Sequence, residues 1–258
     1  RRAWLANTIQ NLLKGLLDKR IQLLILNQPA TSALPALARA VGASTIVCED
    51  IAAPAEQAEV AALRAAEPDA ELFVILGLQV HTVWHSSLLH PQQLPWPVQR
   101  LPAVFTPFRQ QIEQAGLQPA APLPPPAALP PAPPGVPNAW LDDSAQTLAA
   151  LAGTPPAADA RSAFPYLQGA LHGGEQAALA HLHQYLARGL PHSYQRTRND
   201  LLGLDYSSKW SPWLTTGALS PRQALAQLRQ FEAEHGASDG SYWLWFELLW
   251  RDYFRFLH

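Results

Sequence analysis

Methionine is missing altogether from the 258 residues, and cysteine occurs once, at Cys48. A single thiol excludes an internal disulfide and fits a reducing compartment, so a cytoplasmic setting is expected. Cys48 sits in an apolar run, which suits a buried strand better than a nucleophile. Charge is sparse: 18 Lys and Arg against 20 Asp and Glu leave a net −2, so no global basic field argues for nucleic acid. No apolar stretch is long enough to span a bilayer, which argues against a membrane partner, and no signal peptide opens the chain. No glycine-rich turn follows the first apolar run, which removes the usual dinucleotide fingerprint. The first residue is not Met, and the last, His258, falls inside an aromatic helical pattern with no breaker. Together these lead us to expect an internal piece of a longer protein.

What is present is a globular composition, 48% hydrophobic, long enough for one large domain or two. The stretch Tyr194–Arg222, YQRTRNDLLGLDYSSKWSPWLTTGALSPR, concentrates the chemistry. Ser211-Pro212 and Ser220-Pro221 each read as a Ser N-cap followed by Pro at the first helical position. A helix start offers free N–H groups and the positive end of a dipole. Ser207, Ser208 and Lys209 add two hydroxyls and a point charge just upstream. The span therefore reads as a cradle for a phosphate or pyrophosphate. It reads equally as two ordinary capped helices joined by a polar turn.

Along the chain, residues 1–20 keep helical spacing through Leu5, Ile9, Leu12, Leu13, Leu16 and Leu17. Ile21–Leu26 is a short apolar run closed by Asn27-Gln28-Pro29, as expected of a buried parallel strand. A helix over 32–41 with Gly42 as its stop, a strand over 44–48, an Ala-rich helix over 55–66 and a strand-like run over 71–76 follow. This alternation predicts an α/β domain with right-handed crossovers, whose ligands bind at the carboxyl ends of the strands. His81, His85 and His90 lack the carboxylate or Cys company that a metal site needs, so no metal is expected. A short helix is expected over Phe105–Gln114. From Pro119 to Pro137 ten of nineteen residues are proline, which no helix or sheet tolerates. This predicts an extended linker; a ligand for an SH3-type domain is the functional alternative. Residues 138–172 read as further loop. The expected organisation is a partial α/β domain over 1–118, a Pro-rich linker over 119–172 and an all-α domain over 173–258.

After Gly173-Gly174 the pattern turns helical: 175–186, 220–234 and 239 to the end. The last of these sets Trp243, Glu247, Trp250, Arg251 and Phe254 on one face and Leu244, Trp245, Leu248 and Leu249 on the other. A helix apolar all round is a buried one. Glu247 and Arg251 stand one turn apart, the spacing of an ion pair. Such a pair on a Trp-rich face is either structural or part of a ligand pocket. Two indoles beside a carboxylate suit a flat heterocycle, which favours the pocket.

The motifs ARSAFPYLQG with GGEQAAL, TRNDLLGLDYSSKWSPWLTTGALSPR and YWLWFELLWRDYFRF resemble the photolyase/cryptochrome family, most closely its DASH branch. LPAVFTPFRQQIE resembles the segment that closes the α/β domain in that branch. The resemblance implies an antenna-type α/β domain joined by a long loop to an all-helical FAD-binding domain. It further implies blue-light-driven repair of cyclobutane pyrimidine dimers, chiefly in single-stranded DNA, by a monomer. A photoreceptor cryptochrome without repair activity carries the same motifs. An antenna folate, methenyltetrahydrofolate, is implied for the full-length parent, with Glu49 or Asp50 near its contact.

By motif, Tyr194, Ser207, Ser208, Lys209, Trp210 and Ser211 correspond to the family's FAD phosphate-binding tyrosine and Ser/Thr-rich loop. Arg251 would lie near the flavin. Glu247 and Trp250 correspond to the carboxylate and indole that meet a flipped dimer, and Arg198 to a basic residue facing DNA. In the family, the contacts to the flavin ring and the tryptophan relay come from segments outside this sequence. This chain alone is therefore expected to hold only the phosphate side of the flavin site, and to bind FAD weakly or not at all.

Overall fold

The computed structural model describes residues 2–21, 23–65, 78–153, 171–201 and 203–257. The first part alternates as expected: α1 (Arg2–Leu17), α2 (Ala30–Val41), β1 (Thr45–Glu49), α3 (Pro54–Ala65) and β2 (Gln79–Val83). Gly42 ends α2 in the left-handed conformation, φ 67°, where its amide reaches the last carbonyls of the helix. Strands β1 and β2 pair in parallel from Thr45↔Gln79 to Glu49↔Val83, with a crossover that includes α3. The strand-like run 71–76 and the motif ARSAFPYLQG lie outside the described residues.

Two expectations are corrected here. Residues 21 and 23–26 form no strand. The Ile25 amide donates instead to the Ser144 hydroxyl at 2.9 Å, so a helix side chain takes the place of a neighbouring strand. That helix, α5 (Asn138–Ala152), falls where the sequence predicts loop. Pro137 stands immediately before its first residue and no proline follows inside it, so the helix starts where the proline run stops. Upstream, α4 (Phe105–Gln114) matches its expected bounds, and 119–137 carries no helix or strand. Strand β2 was missed: QVHTV is five residues long, alternates weakly and adjoins histidines.

The helical part comprises α6 (Glu175–Ala187), a 3₁₀ turn over Leu190–Ser193, α7 (Tyr194–Thr197), α8 (Ser211–Thr216), α9 (Pro221–His235) and α10 (Asp239–Phe256). Ser238 caps α10 by accepting from the Ser241 amide at 3.2 Å. The Gly173-Gly174 pair that marks the change of character is also a close approach. A Cβ on Gly173 would sit 2.2 Å from the Trp4 carbonyl, and one on Gly174 would sit 2.6 Å from Asn11. Asn11 of α1 then supplies the cap that α6 lacks locally, accepting from the Glu175 amide at 3.0 Å.

The core does not lie on the sheet. It gathers Leu88, Leu89, Phe105, Phe108 and Ile112 against Leu228, Leu244, Leu248, Leu249, Tyr253 and Phe256. Phe105 stacks on Trp250 at 3.7 Å between centroids and 13° between planes. A polar clasp reinforces this junction. Asp252, fully buried, accepts the Leu88 and Leu89 amides at 3.0 and 2.9 Å. Arg222 donates to the Ser87 and Leu88 carbonyls at 3.2 and 3.0 Å. The loop after β2 thus has its backbone groups met by side chains from α9 and α10. Unpaired, those groups would each cost about 1–3 kcal/mol. Burial pushes the Asp252 carboxyl up to about 6, against the opposing pull of the two amides and of Arg251 and Arg255.

Candidate functional site

A cleft of about 830 Å³ opens between the end of β1 and the helical part. Ile51, Ala52 and Ala53, just past the carboxyl end of β1, form one edge. That is where an α/β sheet places its ligands. Tyr194, the run Ser207–Ser211, and Glu247, Leu248, Arg251 and Phe254 of α10 line the remainder.

The Ser-rich run is held from behind. Arg188, at the C-cap of α6, grips Asp205 with two hydrogen bonds, one of 2.8 Å. This pairing keeps the Asp205 carboxyl below its ordinary pKa, although both groups face solvent. Thr197 donates to the Tyr206 carbonyl at 2.9 Å. His181 Nε2 stands 2.7 Å from the Ser208 carbonyl and, as the donor, fixes that loop. Burial lowers the His181 pKa, so the neutral ring is favoured. Lys209 adopts a left-handed backbone, φ 56°, uncommon for a residue with a side chain. Its ammonium lies 3.3 Å from the centroid of the Tyr206 ring.

Held this way, the run carries spare donors. Among the described residues, the hydroxyls of Ser207, Ser208 and Ser211 have no hydrogen-bond partner. Burial first, and then the charge of Glu247, pushes the Tyr194 phenol up to about 12, so it keeps its proton. Trp210 is buried with its indole nitrogen unpartnered. The arrangement offers several hydroxyls and one cation to an anion. Leu214, Leu244, Leu248 and Phe254 offer apolar surface to whatever that anion is attached to.

The helix starts differ from expectation. Ser211 is the first residue of α8 rather than its cap, and α8 is six residues long. Ser220 occupies the N-cap of α9 without a side-chain cap bond, and Ser220-Pro221 is not part of the cleft wall. The anion-holding capacity therefore rests on the hydroxyls and Lys209 more than on two helix mouths.

Eight of the ten expected site residues line this one cleft: Tyr194, Ser207, Ser208, Lys209, Trp210, Ser211, Glu247 and Arg251. The pairing expected between Glu247 and Arg251 does not form. Glu247 pairs with Arg198, whose guanidinium also lies 4.7 Å from the Trp243 ring centroid. Arg251 donates to the Ser86 carbonyl at 2.6 Å and the Leu214 carbonyl at 3.3 Å. Each charge finds its partners off its own helix. Arg198 and Trp250 stand outside the cleft wall; Trp250 backs it through Phe254 and stacks on Phe105 in the core.

Sequence reasoning passed over His181 and Asp252. A signal existed for the first: His181, Tyr185 and Arg188 recur at helical spacing along α6 and its C-cap and face the Ser-rich run. Among the described residues, no cluster of His, Cys, Asp and Glu is gathered as a metal would need, and no helix is long and apolar enough to cross a membrane.

The model of the DNA photolyase family matches residues 1–130. The cryptochrome DASH of Synechocystis sp. is 34% identical over 256 residues, 98% of this chain and 49% of that protein. That of Gloeobacter violaceus is 42% identical over 184 residues, 70% of this chain and 34% of that protein. The crystal structure of a Synechocystis cryptochrome matches with a TM-score of 0.81 at 33% identity, over 99% of this chain and 50% of that one. A class III photolyase from Agrobacterium tumefaciens shares the fold, with a TM-score of 0.73 at 23% identity over 99% of this chain and 49% of that one. The chain thus spans about half, or less, of the length of these relatives.

Proposed function

Since the chain belongs to the DNA photolyase family, in the branch of the DASH cryptochromes, we propose that its cleft holds the diphosphate side of FAD in a light-driven DNA-repair lyase. One observation carries this reading: three serine hydroxyls without partners gather beside Lys209 in the cleft that Glu247 and Arg251 also line. The donor set fits a diphosphate, and the apolar wall fits the uncharged parts of a dinucleotide. When bound, FAD would supply the light absorption and the electron for splitting a cyclobutane pyrimidine dimer. The chain's own residues would hold the phosphate side. Ser207, Ser208 and Ser211 donate to phosphate oxygens, Lys209 supplies the counter-charge, and the protonated Tyr194 adds a donor.

Glu247, steadied by Arg198, presents an acceptor toward a base flipped into the cleft. Arg198 marks the side from which DNA, chiefly single-stranded, approaches. Trp250 stiffens the wall from behind. An antenna folate in the full-length protein, a monomeric state, a cytoplasmic location and a division near residues 118 and 172 belong to the same proposal.

Blue light on the reduced, FAD-loaded full-length protein should clear dimers from single-stranded oligonucleotides. Dimers left intact would remove repair and leave the photoreceptor reading. Replacing Ser208 and Ser211 together with Ala should lower flavin retention. Retention at the original level would favour a helical binding module that takes no cofactor.

A further inference from the structure

The geometry points to His181 as a positioning residue that sets the phosphate-facing shape of the Ser207–Ser211 run by donating from Nε2 to the Ser208 carbonyl. This inference rests on the flavin reading above and deepens it. The bond, 2.7 Å long, joins residues 27 positions apart and is the only one among the described residues that meets the Ser208 carbonyl. The ring itself has little freedom. It lies 5.0 Å from the fully buried Trp213 and 6.5 Å from Tyr185, centroid to centroid. Trp213 is fixed in turn by donating to the His172 carbonyl at 2.9 Å. A rigid donor therefore meets the loop immediately before its least comfortable residue, Lys209 at φ 56°.

A left-handed residue with a side chain persists only where its surroundings over-determine it. Upstream, Arg188 holds Asp205 and Thr197 holds the Tyr206 carbonyl; downstream, the Trp210 carbonyl accepts the Trp213 and Leu214 amides at 3.1 and 3.0 Å. His181 is the tie nearest the hydroxyls. Without it, the Ser208 carbonyl loses its tie and the peptide before Lys209 is held only through the anchors at Tyr206 and Trp210, which loosens the placement of the three serines and the ammonium. Burial of the ring favours its neutral state, so donation from Nε2 fixes the tautomer with the proton on that nitrogen.

The test compares two flavins on three proteins by quenching of flavin fluorescence. FAD carries a diphosphate and an adenosine that riboflavin lacks, so their ratio reports that half of the cofactor and not the flavin ring. In the full-length protein, His181→Phe keeps the ring against Trp213 and deletes the donor. It should weaken FAD about tenfold, the effect of one hydrogen bond, and leave riboflavin unchanged. His181→Gln restores an N–H donor and should return FAD to within about threefold of the original. Thermal midpoints of the two variants should agree, which separates loop shape from general stability. Equal FAD affinity in original and His181→Phe proteins overturns the inference, as does a loss shared equally by FAD and riboflavin. An original protein that takes up neither flavin, or that binds FAD no better than riboflavin, overturns the flavin reading itself and this inference with it.

Discussion

The sheet and the helical part of this molecule are built on different terms. No residue of β1 or β2 belongs to the core cluster, and Val47 and Val83 are 65% and 47% exposed. The last helix, by contrast, buries Leu244, Leu248, Leu249, Tyr253 and Phe256 together with the carboxylate of Asp252. The loop after β2 and helix α4 follow the sheet in the chain, yet pack with the helices. The lesson is that chain order and core membership part company at about Trp84. The sheet positions the cleft's edge at Ile51–Ala53, while the helical core holds the rest of its wall.

Substitutions that weigh one region against the other test this contrast. The largest effect is expected at Phe108, which is fully buried. Phe108→Ala should cost about 4 kcal/mol in urea unfolding, although α4 lies before the proline run. A loss below about 1 kcal/mol would detach α4 from the helical core. Next comes Asp252→Asn, which keeps one acceptor for two amides and should cost about 2 kcal/mol.

That cost has a pH dependence with a definite sign. The folded carboxyl sits at about 6, above the ordinary value near 4, so between these values the folded state holds the proton more tightly. The contribution is full below about pH 4 and is lost as pH rises through about 6. The stability gap between the original protein and Asp252→Asn should therefore narrow from pH 4.5 to pH 7. Urea midpoints at both values measure it, and a widening gap would contradict the buried, protonated acid. The smallest effect is expected on the sheet: Val47→Thr should stay within about 0.5 kcal/mol. A loss above 1 kcal/mol would mean that this face is covered.

Legibility in the sequence followed the same divide. Helices α2 and α3 and strand β1 showed themselves through local punctuation such as Gly42. The run 21–26 misled because an apolar stretch says nothing of its partner, here the hydroxyl of Ser144 on a helix. Helix α5 was hidden by the proline run that precedes it. In the cleft, the serines, Lys209 and Tyr194 were visible because they are neighbours in sequence or share a motif. His181 and Asp252 were harder to find, because each acts on a backbone group 27 and more than 160 residues away, and only the helical spacing of His181 with Tyr185 and Arg188 hints at the first. The i,i+4 spacing of Glu247 and Arg251 was also a false guide. Spacing allows a pair, but Arg198 and the carbonyls of Ser86 and Leu214 take these charges instead.

The bridge made by Arg251 carries one more implication. Its two hydrogen bonds tie the segment leaving β2 to α8 through a single flat side chain. A joint of that kind is brittle: small tilts lengthen both bonds at once, whereas oily contacts slide and re-form. Any drift of the sheet away from the helices would register first as a widening of the cleft mouth. Arg251 shares that load with Asp252 and Arg222 and with the Arg255–Glu49 pair at 2.9 Å, so parting sheet from helices means breaking several polar bonds together.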